Sequence, residues 1–344
     1  MIDLSCKYLG LNLKNPLIVG SSGLTSSLEN LKTIARMGAG AVVLKSVFEE
    51  QIKFETDKLI GSDDREIKSW KEAFEEIVSE KEFYYEEAFN YLTSYAKEHT
   101  LKQYLSFISD AKKAVDIPVI ASINCSSQYD WQYFAKRIQE AGADALELNV
   151  YLLPSDFEKK GNENEQVFFD VIREVRKFVT IPVALKTGYY FSSLARTLKE
   201  LSETGIAGLT LFNRPYNPDI DIEELQVSAS NMFSNDSEYT NTLRWVAILS
   251  GRVKCDIAAS TGIHNYQTVI KQLLAGADAV QMASVFYRHH FEVLPPVIKG
   301  LEDWMTRHNF STISDFKGLL SRKNIKNPAS YERVQFLRLF SSIE

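Results

Sequence analysis

The sequence predicts an α/β chain folded as a (β/α)8 TIM barrel, with insertions after strands two and six. Two observations carry that prediction. The first is a repeated phrase: Ala275-Gly276-Ala277-Asp278-Ala279-Val280-Gln281-Met282-Ala283-Ser284 is echoed by Ala141-Gly142-Ala143-Asp144-Ala145-Leu146-Glu147-Leu148-Asn149. Looser copies occupy 38–46 and 204–213. Each copy reads as a helix end, a glycine turn and a short buried strand that finishes on a polar residue. A unit repeated in this way marks a βα-repeat protein. The second observation is the number of strands. Eight short apolar runs bounded by turn residues are present, enough for a closed barrel. A doubly wound open sheet is the main competitor, and it does not usually need eight units.

The runs are 17–22, 41–46, 118–124, 145–150, 182–187, 208–213, 256–261 and 279–284. Continuous apolar character over four to eight residues fits parallel strands buried on both faces. Amphipathic stretches at 130–141, 164–179, 191–204 and 264–275 supply the intervening helices. Two connections are long. Residues 47–117 are rich in Glu, Lys and Tyr and carry a helical pattern around 66–98; residues 214–244 contain Pro215, Pro218 and a polar Ser/Asn stretch. Both follow strand C-terminal ends, so they read as lids, partner surfaces or plain solvated insertions on one domain spanning 1–344.

Composition narrows the function classes. The chain has 344 residues, a net charge of -6 and 45% hydrophobic residues, which permits a full core and argues against a nucleic-acid binder. No segment approaches the ~20 apolar residues of a spanning helix, and the N-terminus lacks a signal-peptide pattern, so a cytoplasmic protein is expected. Cys6, Cys125 and Cys255 are too scattered for a disulfide framework or a metal cluster, so no metal is expected.

The strand ends locate the chemistry. They carry Ser21 and Ser22, Lys45 and Ser46, Asn124, Asn149, Lys186 and Thr187, Asn213, Ser260 and Thr261, and Ser284. A buried lysine or asparagine costs free energy unless it has a partner. Two lysines and three asparagines converging on one barrel mouth point to a polar, anionic ligand. Thr261-Gly262 and Ala283-Ser284 end strands seven and eight, where barrels often bind phosphate through backbone N–H groups.

These residues, in this order and spacing, make the chain resemble the dihydroorotate dehydrogenase family, including the related barrel domain of dihydropyrimidine dehydrogenase. The anchors are Asn15-Pro16-Leu17 with Ser21-Ser22-Gly23, Leu44-Lys45-Ser46, Ile117 to Ile123, Glu147-Leu148-Asn149, Val183-Ala184-Leu185-Lys186, Asn213, Thr261-Gly262-Ile263 and Gln281-Met282-Ala283-Ser284. The tail from Trp304 to Gly318 is similar to the family's closing helix and phrase. The resemblance implies FMN across the barrel mouth. Ser21, Ser22, Ser46 and Asn124 would lie along the flavin, and Lys45 and Lys186 would meet its ring or ribityl chain. Thr261, Gly262, Ala283 and Ser284 would hold the phosphate, and Asn149 and Asn213 would face the substrate. It also implies the soluble class, typically a homodimer of pyrimidine biosynthesis, with an electron acceptor left unnamed.

The substrate half departs from the family. The soluble class has a catalytic cysteine in the phrase Asn-Leu-Ser-Cys-Pro; here the phrase is Asn149-Val150-Tyr151-Leu152-Leu153-Pro154, and Leu152 cannot carry a proton. Tyr151 has two readings. It acts as acid or base if a cation such as Lys45 lowers its pKa, or it packs over the pocket. Cys125 follows strand three and is no direct replacement. Arg214 replaces a serine after Asn213, and suits either a substrate carboxylate or a salt bridge to an acidic insertion. Three functions remain open: an FMN-dependent oxidoreductase transferring hydride between a dihydroorotate-like substrate and flavin, a flavin-binding family member without dehydrogenase activity, and a non-redox lyase or isomerase binding a phosphorylated metabolite.

Overall fold

The repeated aspartates explain how consecutive strands find their register. Asp144 Oδ2 accepts a 2.7 Å hydrogen bond from the Val119 amide, and Asp144 donates its own amide to the Val119 carbonyl at 3.0 Å. Asp278 repeats this with Ile257, at 2.8 and 2.7 Å. Each carboxylate also holds a lysine, Lys112 or Lys317. The preceding Gly142 and Gly276 adopt φ of 94° and 114°, the left-handed region in which only glycine is unstrained.

The computed structural model describes residues 2–48, 83–124 and 128–333. An N-terminal hairpin comes first, β1 (Cys6–Tyr8) with β2 (Leu11–Leu13), followed by β3 (Leu17–Val19), α1 (Leu28–Arg36), β4 (Ala41–Val43) and β5 (Val47–Phe48). Then follow α2 (Phe83–Ala114), β6 (Val119–Asn124), α3 (Gln128–Glu140), β7 (Ala145–Val150), α4 (Gly161–Val175), β8 (Val183–Thr187), α5 (Leu194–Ser202) and β9 (Gly208–Leu211). A second hairpin, β10 (Pro218–Asp221) with β11 (Gln226–Ala229), leads to α6 (Tyr239–Leu249), β12 (Asp256–Ala259), α7 (Tyr266–Ala275), β13 (Ala279–Met282), α8 (Ser284–His289) and α9 (Leu294–Arg307).

Eight parallel strands close in the order β3, β4, β6, β7, β8, β9, β12, β13, with β13 pairing back to β3. Closure excludes the open sheet. The strands coincide with the eight expected runs, but several ladders stop two or three residues early. Beyond them single bonds persist, such as Ser260 N to Leu211 O at 2.6 Å and Asn213 N to Thr187 O at 2.9 Å. These rim residues have left the ladder and line the mouth. The helix expected around 66–98 is described from Phe83 and runs on to Ala114; residues 49–82 lie outside the described part. The 214–244 connection contains the β10–β11 hairpin and the start of α6.

Along each strand, alternate side chains point outward to the helices or inward to the barrel axis. Outward residues such as Leu146, Leu185, Leu209 and Val280 join the large core beneath the helices. The inward set changes along the axis. At the N-terminal end, Ala145, Ala184, Ala258 and Ala279 leave room for Tyr8 and Leu9 of the first hairpin, which fill the barrel floor. Further up, the inward residues are Ser122, Glu147, Thr210 and Gln281, all buried and polar. The barrel is therefore packed below and polar above.

One glycine tests the packing of the barrel wall. A Cβ at Gly40 would lie inside the van der Waals surface of the Asn15 backbone carbonyl oxygen, whereas one at Gly142 meets nothing within 4 Å. Gly40→Ala is expected to cost about 3 kcal/mol or more in denaturant unfolding. Gly142→Ala carries only the left-handed strain of about 1 kcal/mol. Equal losses in the two variants would contradict the packing described.

Candidate active site

A cleft opens at the C-terminal end of the barrel. Eight of the expected residues line it: Ser21, Lys186, Asn213, Arg214, Thr261, Gly262, Ala283 and Ser284. They come from the ends of five strands, so only the closed barrel brings them together. Ser260, a strand-end residue expected at the mouth, also lines it, and Ser234, Ile263 and Gln281 complete the lining without having been expected as site residues. Ser22, Lys45, Ser46, Asn124, Asn149 and Tyr151 sit around this cleft rather than in its lining.

The strand-seven end is shaped for close backbone approach. Thr261 and Gly262 have φ of 78° and 72°. A Cβ on Gly262 would collide with the backbone of Glu238 and Tyr239. The Thr261 hydroxyl donates to the Phe212 carbonyl at 2.9 Å, so the loop is held by strand six. The Ser284 hydroxyl accepts from the Ser234 amide at 3.1 Å, and Ser234 Oγ lies 3.0 Å from His264 Nε2. Burial holds the imidazole of His264 below its usual pKa, and Asp236 acts against that.

On the opposite side, hydroxyls and amides are tied to one another. Ser46 Oγ lies 3.1 Å from Ser21 Oγ and 2.7 Å from Ser122 Oγ. Ser46 thereby joins β3, β4 and β6 at the rim. Asn124 donates to the Asn149 carbonyl at 2.8 Å, and Asn213 donates to Asn149 Oδ1 at 2.9 Å. The asparagines form one chain across three strand ends. Lys45 is half-buried beyond the end of β4, and its amide meets the Thr25 carbonyl at 3.5 Å.

Arg214 takes the salt-bridge arrangement. Its Nε lies 2.9 Å from Glu238 Oε2, and Nη1 donates to the carbonyls of Asn231 and Met232 at 2.8 and 3.1 Å. The guanidinium therefore pins the 214–244 connection against the cleft. Among the described residues, its ion-pair partner is Glu238 of this same connection.

Tyr151 requires a correction. A lowered pKa was expected if a cation stood beside it. Instead burial pushes the phenol up to about 12, and Tyr190 and Tyr189 add to the effect. Its ring meets Tyr190 edge-on at 6.3 Å, Tyr190 meets Tyr189 at 4.9 Å, and Tyr189 meets Phe212 at 5.8 Å. The ring contacts and the raised phenol favour the packing reading over a base role at neutral pH. Leu152 is half-buried and packs against the core, while Leu153 is exposed. Cys125 lies outside the described residues.

Sequence reasoning missed Glu147 and Gln281 as site residues. Glu147 is 1% exposed inside the barrel, and its Oε2 accepts from Gln281 Nε2 at 2.7 Å and Thr210 Oγ1 at 3.0 Å. The signal was available: in Ala-Leu-Glu-Leu-Asn the period of two puts Glu147 on the same inward face as Asn149. Among the described residues, no group of three or more His, Cys, Asp or Glu is placed to hold a metal ion. No helix there is long and apolar enough to cross a membrane.

Because the Tyr151 phenol is raised above the ordinary value near 10, folding favours its protonated form. Its contribution to stability is therefore complete below about pH 10 and is lost as pH rises toward 12. Tyr151→Phe is expected to flatten the alkaline limb of the stability profile and to leave pH 6–9 unchanged. A wild-type-minus-variant tyrosinate absorbance appearing near pH 8 would overturn this assignment.

Comparison with known proteins follows the same lines. Residues 88–305 match the family model for dihydroorotate dehydrogenase. The catalytic subunit of dihydroorotate dehydrogenase B (NAD(+)) from Pyrococcus abyssi is 24% identical over 328 residues, covering 92% of this chain and 98% of its own. The corresponding subunit from Thermoplasma acidophilum is 24% identical over 327 residues, covering 94% and 100%. A crystal structure of DHODH in complex with ferulenol from Eimeria tenella superposes with a TM-score of 0.62 at 14% identity, covering 92% of this chain and 88% of that one. That likeness speaks to the fold.

Proposed function

Since the chain belongs to the dihydroorotate dehydrogenase family, we propose that it is an FMN-dependent oxidoreductase whose cofactor half is intact and whose substrate half is rebuilt. The observation that carries this reading is the cleft itself. It joins a nearly buried lysine, Lys186, to a glycine-bearing loop and a serine at the ends of the last two barrel strands. The cleft suits FMN on its own terms. Gln281, which lines the cleft, keeps its Oε1 buried without a hydrogen-bond partner, and the Ser22 Oγ beside the cleft is in the same state. A polar ligand with several acceptors and donors would satisfy such groups.

In this reading Thr261, Gly262, Ala283 and Ser284 hold the phosphate. Lys186 places its ammonium against the isoalloxazine or ribityl chain, with Ser21 along the ring edge. Bound FMN supplies hydride acceptance and donation. The chain's own residues position the substrate and manage its proton. Asn149 and Asn213, already bonded to each other, offer amide groups on the substrate side. The aromatic group of Tyr151, Tyr189, Tyr190 and Phe212 walls that side, and burial there favours the protonated form of the Tyr151 and Tyr189 phenols. Oxidation of a dihydroorotate-like substrate needs a base within hydrogen-bond reach of the leaving proton. Leu152 cannot serve, which favours a second reading: a flavin-binding member without dihydroorotate oxidation. Homodimer formation, a small carboxylate substrate and a cytoplasmic location belong to this proposal as family expectations, with the electron acceptor unassigned.

Two measurements test the reading. Purified protein should be yellow and should release FMN, not FAD, on denaturation. Lys186→Ala should weaken FMN retention about 10- to 100-fold per folded molecule, the value of a lost charge-assisted hydrogen bond of ~1.5–3 kcal/mol. Folded protein that neither carries nor takes up FMN would sink the proposal.

The second measurement concerns the substrate. Dihydroorotate should reduce the bound flavin about 10²–10⁴-fold more slowly than an enzyme with an intact base, the usual cost of removing one. Leu152→Cys should raise that rate if the rest of the pocket accepts the substrate. Rapid anaerobic bleaching of the wild-type flavin by dihydroorotate would show that a base stands elsewhere.

A further inference from the structure

The polar layer inside the barrel contains one ion pair whose geometry is unusual. Glu147, on β7, is 1% exposed, and its Oε2 is fully engaged by Gln281 and Thr210. Thr210 in turn stands 3.3 Å from the hydroxyl of Tyr8, which rises from the barrel floor. Burial beside Glu147 holds Tyr8 well above its ordinary pKa, so it stays protonated and supports this chain from below. The other oxygen, Oε1, has no hydrogen-bond partner. Its nearest cation is Lys186 Nζ at 3.7 Å, on the neighbouring strand β8.

That separation is an ion pair without a hydrogen bond. The ladder register places Lys186 opposite Asn149 and Ala184 opposite Glu147. Lys186 is thus one inward position closer to the mouth than Glu147, and its side chain lines the cleft. The ammonium lies between a buried carboxylate below and the cleft above. A buried carboxylate with an unfilled oxygen is poor value for stability alone, because burying a charge costs several kcal/mol that only full pairing offsets. The arrangement makes sense if the ammonium is shared with a ligand.

We propose that Glu147 is a positioning residue: it steers the Lys186 ammonium to the barrel axis and offsets part of its charge where the flavin would sit. This rests on the FMN reading above. A lysine alone would present a full positive charge beneath the ring and strongly favour anionic reduced flavin. A lysine paired from below presents a weaker, directed field, so the reduction potential is held down. Removing the carboxylate should therefore raise the potential and strengthen binding of anions at the flavin, and both effects should require Lys186.

The test uses Glu147→Gln, Lys186→Met and the double variant, with Glu147→Met as a second charge-removing change should the glutamine variant fold poorly. In flavin-free protein, denaturant unfolding of the four forms reports whether the two side chains are coupled. In FMN-loaded protein, sulfite binding and the two-electron potential are measured. Glu147→Gln should tighten sulfite about tenfold, equivalent to an upward shift of about 30 mV. In the Lys186→Met background it should change neither. A purely structural Glu147 would lower stability and leave sulfite affinity and potential where they were, which would overturn the proposal. So would a shift that persists without Lys186. If the protein takes up no FMN, the functional reading and the tuning role both fail; coupling in the flavin-free cycle would still show that Glu147 holds Lys186.

Discussion

Everything at the barrel mouth depends on strand register, and the register depends on a carboxylate placed at the entrance to a strand. Asp144 and Asp278 each bond the backbone of the preceding strand in both directions, through the carboxylate and through the amide. A slip of one residue would exchange inward and outward faces. Glu147 would then point into the helix layer, where an unpaired charge costs several kcal/mol, and Leu146 and Leu148 would face the axis. The clasp is local in sequence, reaching back about one βα unit, and it fixes two strand pairs of the ring, β6–β7 and β12–β13.

That locality explains how much of the fold could be read from the chain. The glycine, the small residue and the aspartate of the two closest copies have physical jobs, a left-handed turn and a backbone clasp, that demand particular residue types. The strands between them are buried on both sides, so they appear as plain apolar runs. The hairpins were harder to see. β1 and β2 span three residues each, too short for alternation to stand out. The β10–β11 hairpin has apolar Ile220 and Val227 facing each other across its ladder, both exposed. Its Pro and Asp residues read as loop.

The site was legible where one residue type can do only one thing, and opaque where neighbours decide. Lysine, threonine and glycine at strand ends announced a polar cleft, and eight of the named residues line it. The behaviour of Tyr151 could not be read in the same way. Whether its phenol is pushed up or down depends on which groups the fold brings beside it, and Tyr189 and Tyr190 come from a different strand connection. Arg214 likewise offered two partners on sequence alone, and only the fold of the 214–244 connection puts Glu238 at 2.9 Å. Glu147 escaped notice for the opposite reason. It belonged to a matched phrase, so it looked accounted for, although its position on the inward face already implied a buried charge in need of a cation.

The two halves of the site rest on different parts of the architecture, and that separation makes their independent change physically reasonable. Gln281 and Ser284 sit on or immediately after β13, whose register the Asp278 clasp holds, and Lys186 sits within the β8 ladder. Tyr151, Leu152, Tyr189 and Tyr190 lie just past strand ends, where backbone and side chains are free of ladder constraints. A cysteine there can give way to leucine, and an aromatic group can assemble beside it, without moving a strand. The chemistry changes in one direction when this happens. A thiol of ordinary pKa can both take and give a proton near neutrality. A phenol held near 12 can give one to a strong base but cannot hold itself ready to take one. Under the proposed function, the mouth offers groups suited to a flavin, while Leu152 stands where the resemblance would put the base. In that same reading, the residues assigned to the flavin and those assigned to the substrate proton lie in separate structural layers.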